Sequence, residues 1–385
     1  MNFHFPQRLD RLTTARIIVL FVVETANTND LNVGKHFLIG LPADELDPAA
    51  KVLLDEVRPG GVILFARNIK SCDQTRRLLD EIVAELGYRP LIAVDQEGGL
   101  VDRLRRVLAP LPAAARMRSP DDARRLGRLA GEPLSILGFN IDLAPVVDVM
   151  DASRSDRSNG LYSRAFGATK EQAAEFAEAF ISGLAEFGIL GCLKHFPGLS
   201  AARVDSHEEL PEVDVSREDL DEIDLFPYRR LFDPDGCAVM IGHAVYPNTN
   251  LQAVGPNGKL LPSSLDDGIV NGLLRRDLGF DGLVITDDLE MGAIVNTYGI
   301  GDACVKAMNA GNDLLAICAK PESILAGFRA VQAATDKGDI SSEVLAASSA
   351  RIDRFGHNIT EPRQFDQSRL DDIAGEIEEF ARSVE

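Results

Sequence analysis

The sequence predicts an α/β chain folded as a (β/α)8 TIM barrel, a single catalytic domain with its C-terminal helices packed outside. Two observations lead there. Short apolar runs recur at 36–40, 61–65, 91–94, 140–146, 191–195, 237–243, 282–288 and 313–318, each followed by polar or Gly-rich residues and then a helical pattern. Titratable residues stand where these runs end: Asp95 after "LIAV", Lys194 and His195 closing "GCLKH", His243 closing "CAVMIGH", Asp287 and Asp288 closing "GLVITDD". Continuous rather than alternating hydrophobicity suits parallel strands buried on both faces. Polar groups at the C-terminal ends of so many strands suit a barrel; a doubly wound sheet gives no reason for them.

Along the chain, residues 1–32 read as an N-terminal extension, 33–360 as the barrel and 361–385 as a helical tail. In the extension, "RIIVLFVVETA" has an apolar core far too short for a membrane span and marginal for a signal peptide. It is expected to be an extra strand or an ill-ordered segment of a cytoplasmic protein, with export as the lesser alternative. The helix in "SPDDARRLGRLAGEPLSILG" is expected to start with Ser119 as N-cap and Pro120 at its first position, and to kink at Pro133. "KEQAAEFAEAFISGLAEFG" lines up Phe176, Phe180, Leu184 and Phe187 on one stripe and is expected to end at Gly188. Beyond residue 340, "SSEVLAASSARIDRF" and "DDIAGEIEEFARSVE" are helical, too short for a second α/β domain.

Composition narrows the function. The formal charge is −20, from 60 acidic and 40 basic residues, which disfavours nucleic acid and anionic membranes as partners. The five cysteines (Cys72, Cys192, Cys237, Cys304, Cys318) are scattered, without CxxC or Cys/His metal spacing, and read as buried thiols in a reducing compartment.

Chemistry concentrates in "KHFPGLSAARVDSHEELP" (194–211), a segment too Gly/Pro-broken to be a helix or strand. His207 lies two residues after Asp205; on an extended loop that spacing lets the carboxylate orient the imidazole and raise its basicity. At "AVDQEGGLVDRLR", Asp95 and Arg103 offer an acceptor and a donor for a polyhydroxylated ligand, or simply pair with each other. At "VITDDLEMG" a carboxylate stands where a buried strand meets a loop; one aspartate can cap while the other faces the barrel mouth. Two rival chemistries fit less well. A site of His195, His207 and Asp205 around a metal would set Lys194 against the ion. A Schiff-base Lys194 would leave Asp205, His207 and Asp287 without roles.

With these positions in hand, the chain resembles family 3 glycoside hydrolases, specifically the bacterial β-N-acetylhexosaminidases of the NagZ type, over about residues 34–355. The resemblance lies in "GKHFLIGLP", "GGVILFARN", "DQEGG", "NIDLAPVVDV", "RAFG", "KHFPG" followed by "DSH", "GHAVYP" and "FDGLVITDDLEMGA". It implies Asp287 as nucleophile, His207 as acid/base with Asp205 as its partner, and Asp95, Arg103, Arg164, Lys194 and His195 as ligands to the sugar hydroxyls. It further implies retaining hydrolysis of terminal β-linked N-acetylglucosamine, in peptidoglycan turnover fragments, with no metal or organic cofactor. Three positions depart from that pattern: Leu100 replaces an Arg, and Leu199 then Ser200 follow "KHFPG" where a Gly is usual at the second place. Ser200 is expected to stiffen or redirect the loop that carries His207. The alternatives are a catalytically idle amino-sugar-binding barrel, serving as sensor or scaffold, and a phosphorylase using the same residues. Oligomeric state is left open.

Overall fold

A computed structural model describes residues 32–151, 154, 160–202, 210–255 and 258–385. The N-terminal "RIIVLFVVETA" lies outside the described residues. Strands, in chain order, are β1 (Phe37–Gly40), β2 (Gly61–Leu64), β3 (Leu91–Val94), β4 (Gln96–Gly98), β5 (Val101–Asp102), β6 (Ile141–Asp142), β7 (Gly191–Phe196), β8 (Cys237–Ile241), β9 (Val284–Thr286) and β10 (Leu315–Ile317). Each apolar run of the sequence contains one parallel strand. The antiparallel pair β4–β5 was not foreseen.

The chain is an α/β domain with parallel sheets and helices between the strands. One sheet has the order β10-β1-β2-β3-β6, the other β7-β8-β9. Isolated parallel bridges span the two seams between them, Ile141 to Leu190 and Val146 to Lys194 at one and Ile285 to Leu314 at the other. The pleat sorts the side chains by parity. Phe37 and Ile39 of β1 join the large cluster shared with the helices, whereas Leu38 joins a second cluster to which Ile63, Ala93, Ile141, Cys192, Met240, Ile285 and Ala316 each contribute from another parallel strand. Both faces are thus dry, which is why the runs read as continuously apolar.

The helices follow their caps. Ser119 Oγ accepts the Asp122 amide at the start of helix Pro120–Leu137, which continues through the buried Pro133. Thr169 caps helix Lys170–Ala185, which ends three residues before the expected Gly188; that glycine sits past the end with φ 71°. Phe176, Phe180 and Leu184 are buried as a stripe, with Phe187 packed at its edge. Helix Ser342–Gly356 follows the last strand–helix unit, and helix Gln367–Ser383 buries Leu370, Ile373, Ile377 and Phe380. Arg369 of that last helix grips Glu132 of helix Pro120–Leu137 at 2.7 Å. All five cysteines are buried and none is in a disulfide. Among the described residues, no helix is long and apolar enough to cross a membrane.

Just before β1, His36 is 1% exposed, its Nδ1 3.0 Å from Ser348 Oγ. Burial pushes its pKa from 6.5 down to about 4, against the opposing pull of Asp313. The folded chain therefore binds fewer protons than the unfolded chain between those values, so His36's contribution is intact above pH 6.5 and is lost as pH falls toward 4. Urea unfolding of wild type and His36→Gln tests this. The stability of wild type relative to the variant should fall by about 2 kcal/mol from pH 7 to pH 5; a pH-independent difference would contradict it.

Candidate active site

A cavity of about 160 Å³ opens where the parallel strands end, with Asp95, Arg103, Arg164, Lys194, His195 and Asp287 in its lining. Every site residue expected from the sequence that lies among the described residues is brought together there. Asp205 and His207 lie outside the described residues.

Lys194, 2% exposed on β7, is the hub. Its Nζ is 2.8 Å from Asp95 Oδ1 and 2.6 Å from Glu97 Oε1. Arg164 grips Glu97 with both prongs, Nε and Nη2 each at 2.8 Å. Burial alone would raise Glu97 and lower Lys194. Instead Lys194 and Arg164 hold the Glu97 carboxyl well below the usual carboxylate range, and Asp95 and Glu97 hold the Lys194 ammonium above an ordinary lysine. An ammonium held between two carboxylates is a poor amine nucleophile, which counts against the Schiff-base alternative. Arg103 Nη2 stands 3.4 Å from Asp95 Oδ2, a loose contact beside the strong one to Lys194.

Glu97 was not among the expected site residues. Its signal was its position: on an extended chain, residues two apart share a face, so Asp95 and Glu97 both point at Lys194. The β4–β5 hairpin fixes that extension. Gln96 donates its amide to Asp142 Oδ1 and its side-chain N–H to Asp102 Oδ1, while its Oε1 accepts the amides of Arg103 and Leu104. Gly98 and Gly99, with φ of 89° and 58°, make the turn, and exposed Leu100 sits at its tip. Leu100 is not in the cavity lining.

A second missed residue is Asp148. Its Oδ2 is 3.0 Å from His195 Nδ1 and accepts the His195 amide at 3.2 Å, while its Oδ1 accepts the Leu199 amide at 2.6 Å. One carboxylate thus orients the His195 ring and fixes the backbone that follows, with Leu199 in the cavity wall.

On the far side, Asp287 follows β9. Its amide donates to the Ile241 carbonyl, and its Oδ1 accepts the Asp288 amide at 2.8 Å. The two aspartates divide their work, though neither caps a helix. Asp288 Oδ1 accepts the amides of Glu290 and Cys318, bracing the turn, and burial pushes its pKa up to about 6. His243 Nε2 lies 3.0 Å from the Asp288 carbonyl and its Nδ1 2.7 Å from Ser264 Oγ. The carbonyl can only accept, so Nε2 carries a proton toward it. Asp287 is left supported from behind and directed to the cavity.

The assembled surface mixes three cations with carboxylate acceptors in a space closed to bulk water on its strand side. That is a grip for a neutral, hydroxyl-rich ligand, each hydroxyl both donating and accepting. Among the described residues, no group of three or more His, Cys, Asp or Glu side chains could hold a metal ion.

The glycosyl hydrolase family 3 N-terminal domain matches residues 28–355, and the chain belongs to that family. A relative named beta-hexosaminidase from Alkalilimnicola ehrlichii is 35% identical over 301 residues, covering 76% of this chain and 83% of that one. The family 3 β-N-acetylglucosaminidase structure from a Paenibacillus species superposes with a TM-score of 0.79 at 31% identity, covering 91% of this chain and 68% of that one. A family 3 glycosyl hydrolase from Mycobacterium smegmatis gives a TM-score of 0.75 at 30% identity, covering 88% and 99%.

The charge arrangement separates stability from binding. Glu97→Ala leaves Lys194 and Arg164 buried without their shared counter-charge and should cost about 3–5 kcal/mol in urea unfolding. Asp95→Ala, at a half-buried position whose lysine keeps Glu97, should cost clearly less while weakening sugar binding by calorimetry. Equal stability losses would show that the two carboxylates are interchangeable in holding Lys194.

Proposed function

We propose that this chain is a retaining exo-β-N-acetylglucosaminidase that removes terminal β-linked N-acetylglucosamine, without metal or organic cofactor. The observation that carries the reading is Asp287: a carboxylate on the end of a buried strand, braced by Asp288 and facing the cavity that Asp95, Arg103, Arg164, Lys194 and His195 also line. In this reading the seam bridges belong to a closed eight-stranded barrel spanning residues 33–360, with 361–385 as a helical tail on its outside and 1–32 as an extension.

The sugar ring lies in the cavity with its hydroxyls on Asp95, Lys194, Arg103, Arg164 and His195. Asp287 attacks the anomeric carbon as the glycosidic C–O bond breaks, and His207, its basicity raised by Asp205, gives its proton to the leaving oxygen. A covalent glycosyl-enzyme on Asp287 results. Neutral His207 then takes a proton from water, whose oxygen displaces Asp287 and releases the sugar with its configuration retained. The beta-hexosaminidase names of the relatives and the β-N-acetylglucosaminidase neighbours support the sugar assignment. Peptidoglycan turnover fragments in the cytoplasm are the proposed natural substrates.

An aryl β-N-acetylglucosaminide should be hydrolysed by wild type, and Asp287→Ala should lose about 10⁴-fold or more in kcat. His207→Ala should lose far more on an unactivated disaccharide than on a dinitrophenyl leaving group that needs no proton. No release by wild type, with tight sugar binding retained, would favour the idle binder. A sugar 1-phosphate as main product in phosphate buffer would favour the phosphorylase.

A further inference from the structure

Ser200, Arg154 and Asp224 form a buried cluster that none of the chemistry above uses. Arg154 Nη1 donates to Asp224 Oδ1 at 2.7 Å and to Ser200 Oγ at 2.8 Å, and its Nη2 donates to Asp224 Oδ2 at 3.2 Å. The Ser200 hydroxyl in turn donates to Asp224 Oδ1 at 3.2 Å. All three residues are no more than 4% exposed. They come from three separate stretches: the connection after β6, the connection after β7, and the helical segment 220–224.

The cluster bears on one place, the start of the chain that leads to His207. Asp224 also packs against Gly198, where a Cβ would stand 2.8 Å from its own Cβ, and Gly198 holds φ 139°. Tyr246 Oη donates to the Gly198 carbonyl at 2.8 Å, and Asp148 accepts the Leu199 amide. Ala202 pairs with Val213, and Val213 and Pro211 are in turn bonded to Val245. Both ends of the segment carrying Asp205 and His207 are therefore fixed. Five residues of chain reach at most about 17 Å, so where His207 can go depends on how Ala202 is held.

We infer that Arg154 and Ser200, locked together on Asp224, are positioning residues for the acid/base segment, setting its point of departure from the cavity wall. This rests on the proposed role of His207. Their loss should therefore injure proton delivery and leave the sugar grip, which Lys194, Asp95 and Glu97 build among themselves, untouched.

The test uses the full chain with two substrates of one sugar, a dinitrophenyl glycoside and an unactivated disaccharide. Ser200→Ala removes the hydroxyl and keeps the ion pair; Arg154→Lys keeps the charge but cannot hold both partners with one planar fork. Each should lose about tenfold in kcat on the disaccharide and less than about twofold on the dinitrophenyl glycoside, with KM for both unchanged, a modest part of what general acid catalysis supplies. Equal losses on both substrates, a loss seen mainly in KM, or no loss would overturn the inference. Should Arg154→Lys fail to fold, Ser200→Ala decides alone. His207→Ala run alongside separates the two levels. If it shows the leaving-group dependence and the cluster variants do not, only the positioning role falls. If it shows none, the acid/base assignment falls and takes the positioning role with it.

Discussion

An ammonium group buried between two carboxylates governs the architecture of this site. Lys194 at 2% exposure could not remain charged without Asp95 and Glu97, and Glu97 could not remain ionised without Lys194 and Arg164. That mutual dependence ties β7 to the end of β3 and, through Arg164, to the connection after β6. It also requires the β4–β5 hairpin, since only an extended chain from 95 to 97 points both acids at one lysine. The buried hydrogen bonds of Gln96 are best understood as the means of holding that extension.

The polar network is expensive to bury, and at its centre Lys194, Asp95, Glu97 and Arg164 pair with one another, which keeps the site in one geometry before any ligand arrives. A preorganised grip needs little ordering on binding, so more of the binding energy is available at the reacting bond. Asp148 extends the same logic to the next stretch, fixing the His195 ring and the Leu199 backbone with one carboxylate. Ser200, Arg154 and Asp224 continue it. From Lys194 to Ser200 the chain is held by the side chains of Asp95, Glu97, Asp148, Arg154, Asp224 and Tyr246, a base for the segment that carries Asp205 and His207.

Much of this could be read from the sequence, for identifiable reasons. The eight parallel strands are buried on both faces, so their apolar runs are continuous and visible. The strand-end residues Asp95, Lys194, His195 and Asp287 were legible because polar groups ending apolar runs stand out. The hairpin was not: "QEGGLVD" is short and polar, and its ends are buried because Gln96 and Asp102 satisfy one another and the Leu111 amide. Glu97 and Asp148 lay inside quoted motifs but have partners 97 and 47 residues away in the chain, as Arg154 has in Asp224, 70 residues on. Ion pairs at such separations leave no local pattern. Ser200 was expected to stiffen or redirect the loop; its hydroxyl joins a buried ion pair at the base of that segment, while the loop itself lies outside the described residues.

The identity of the nucleophile can be read directly by trapping. A fluorinated N-acetylglucosaminyl donor with an activated leaving group, slow to deglycosylate, should add one sugar to the active protein, and peptide mass spectrometry should find it on Asp287. An adduct on another residue, or an active enzyme that forms none and releases its sugar with inverted configuration, would contradict the account.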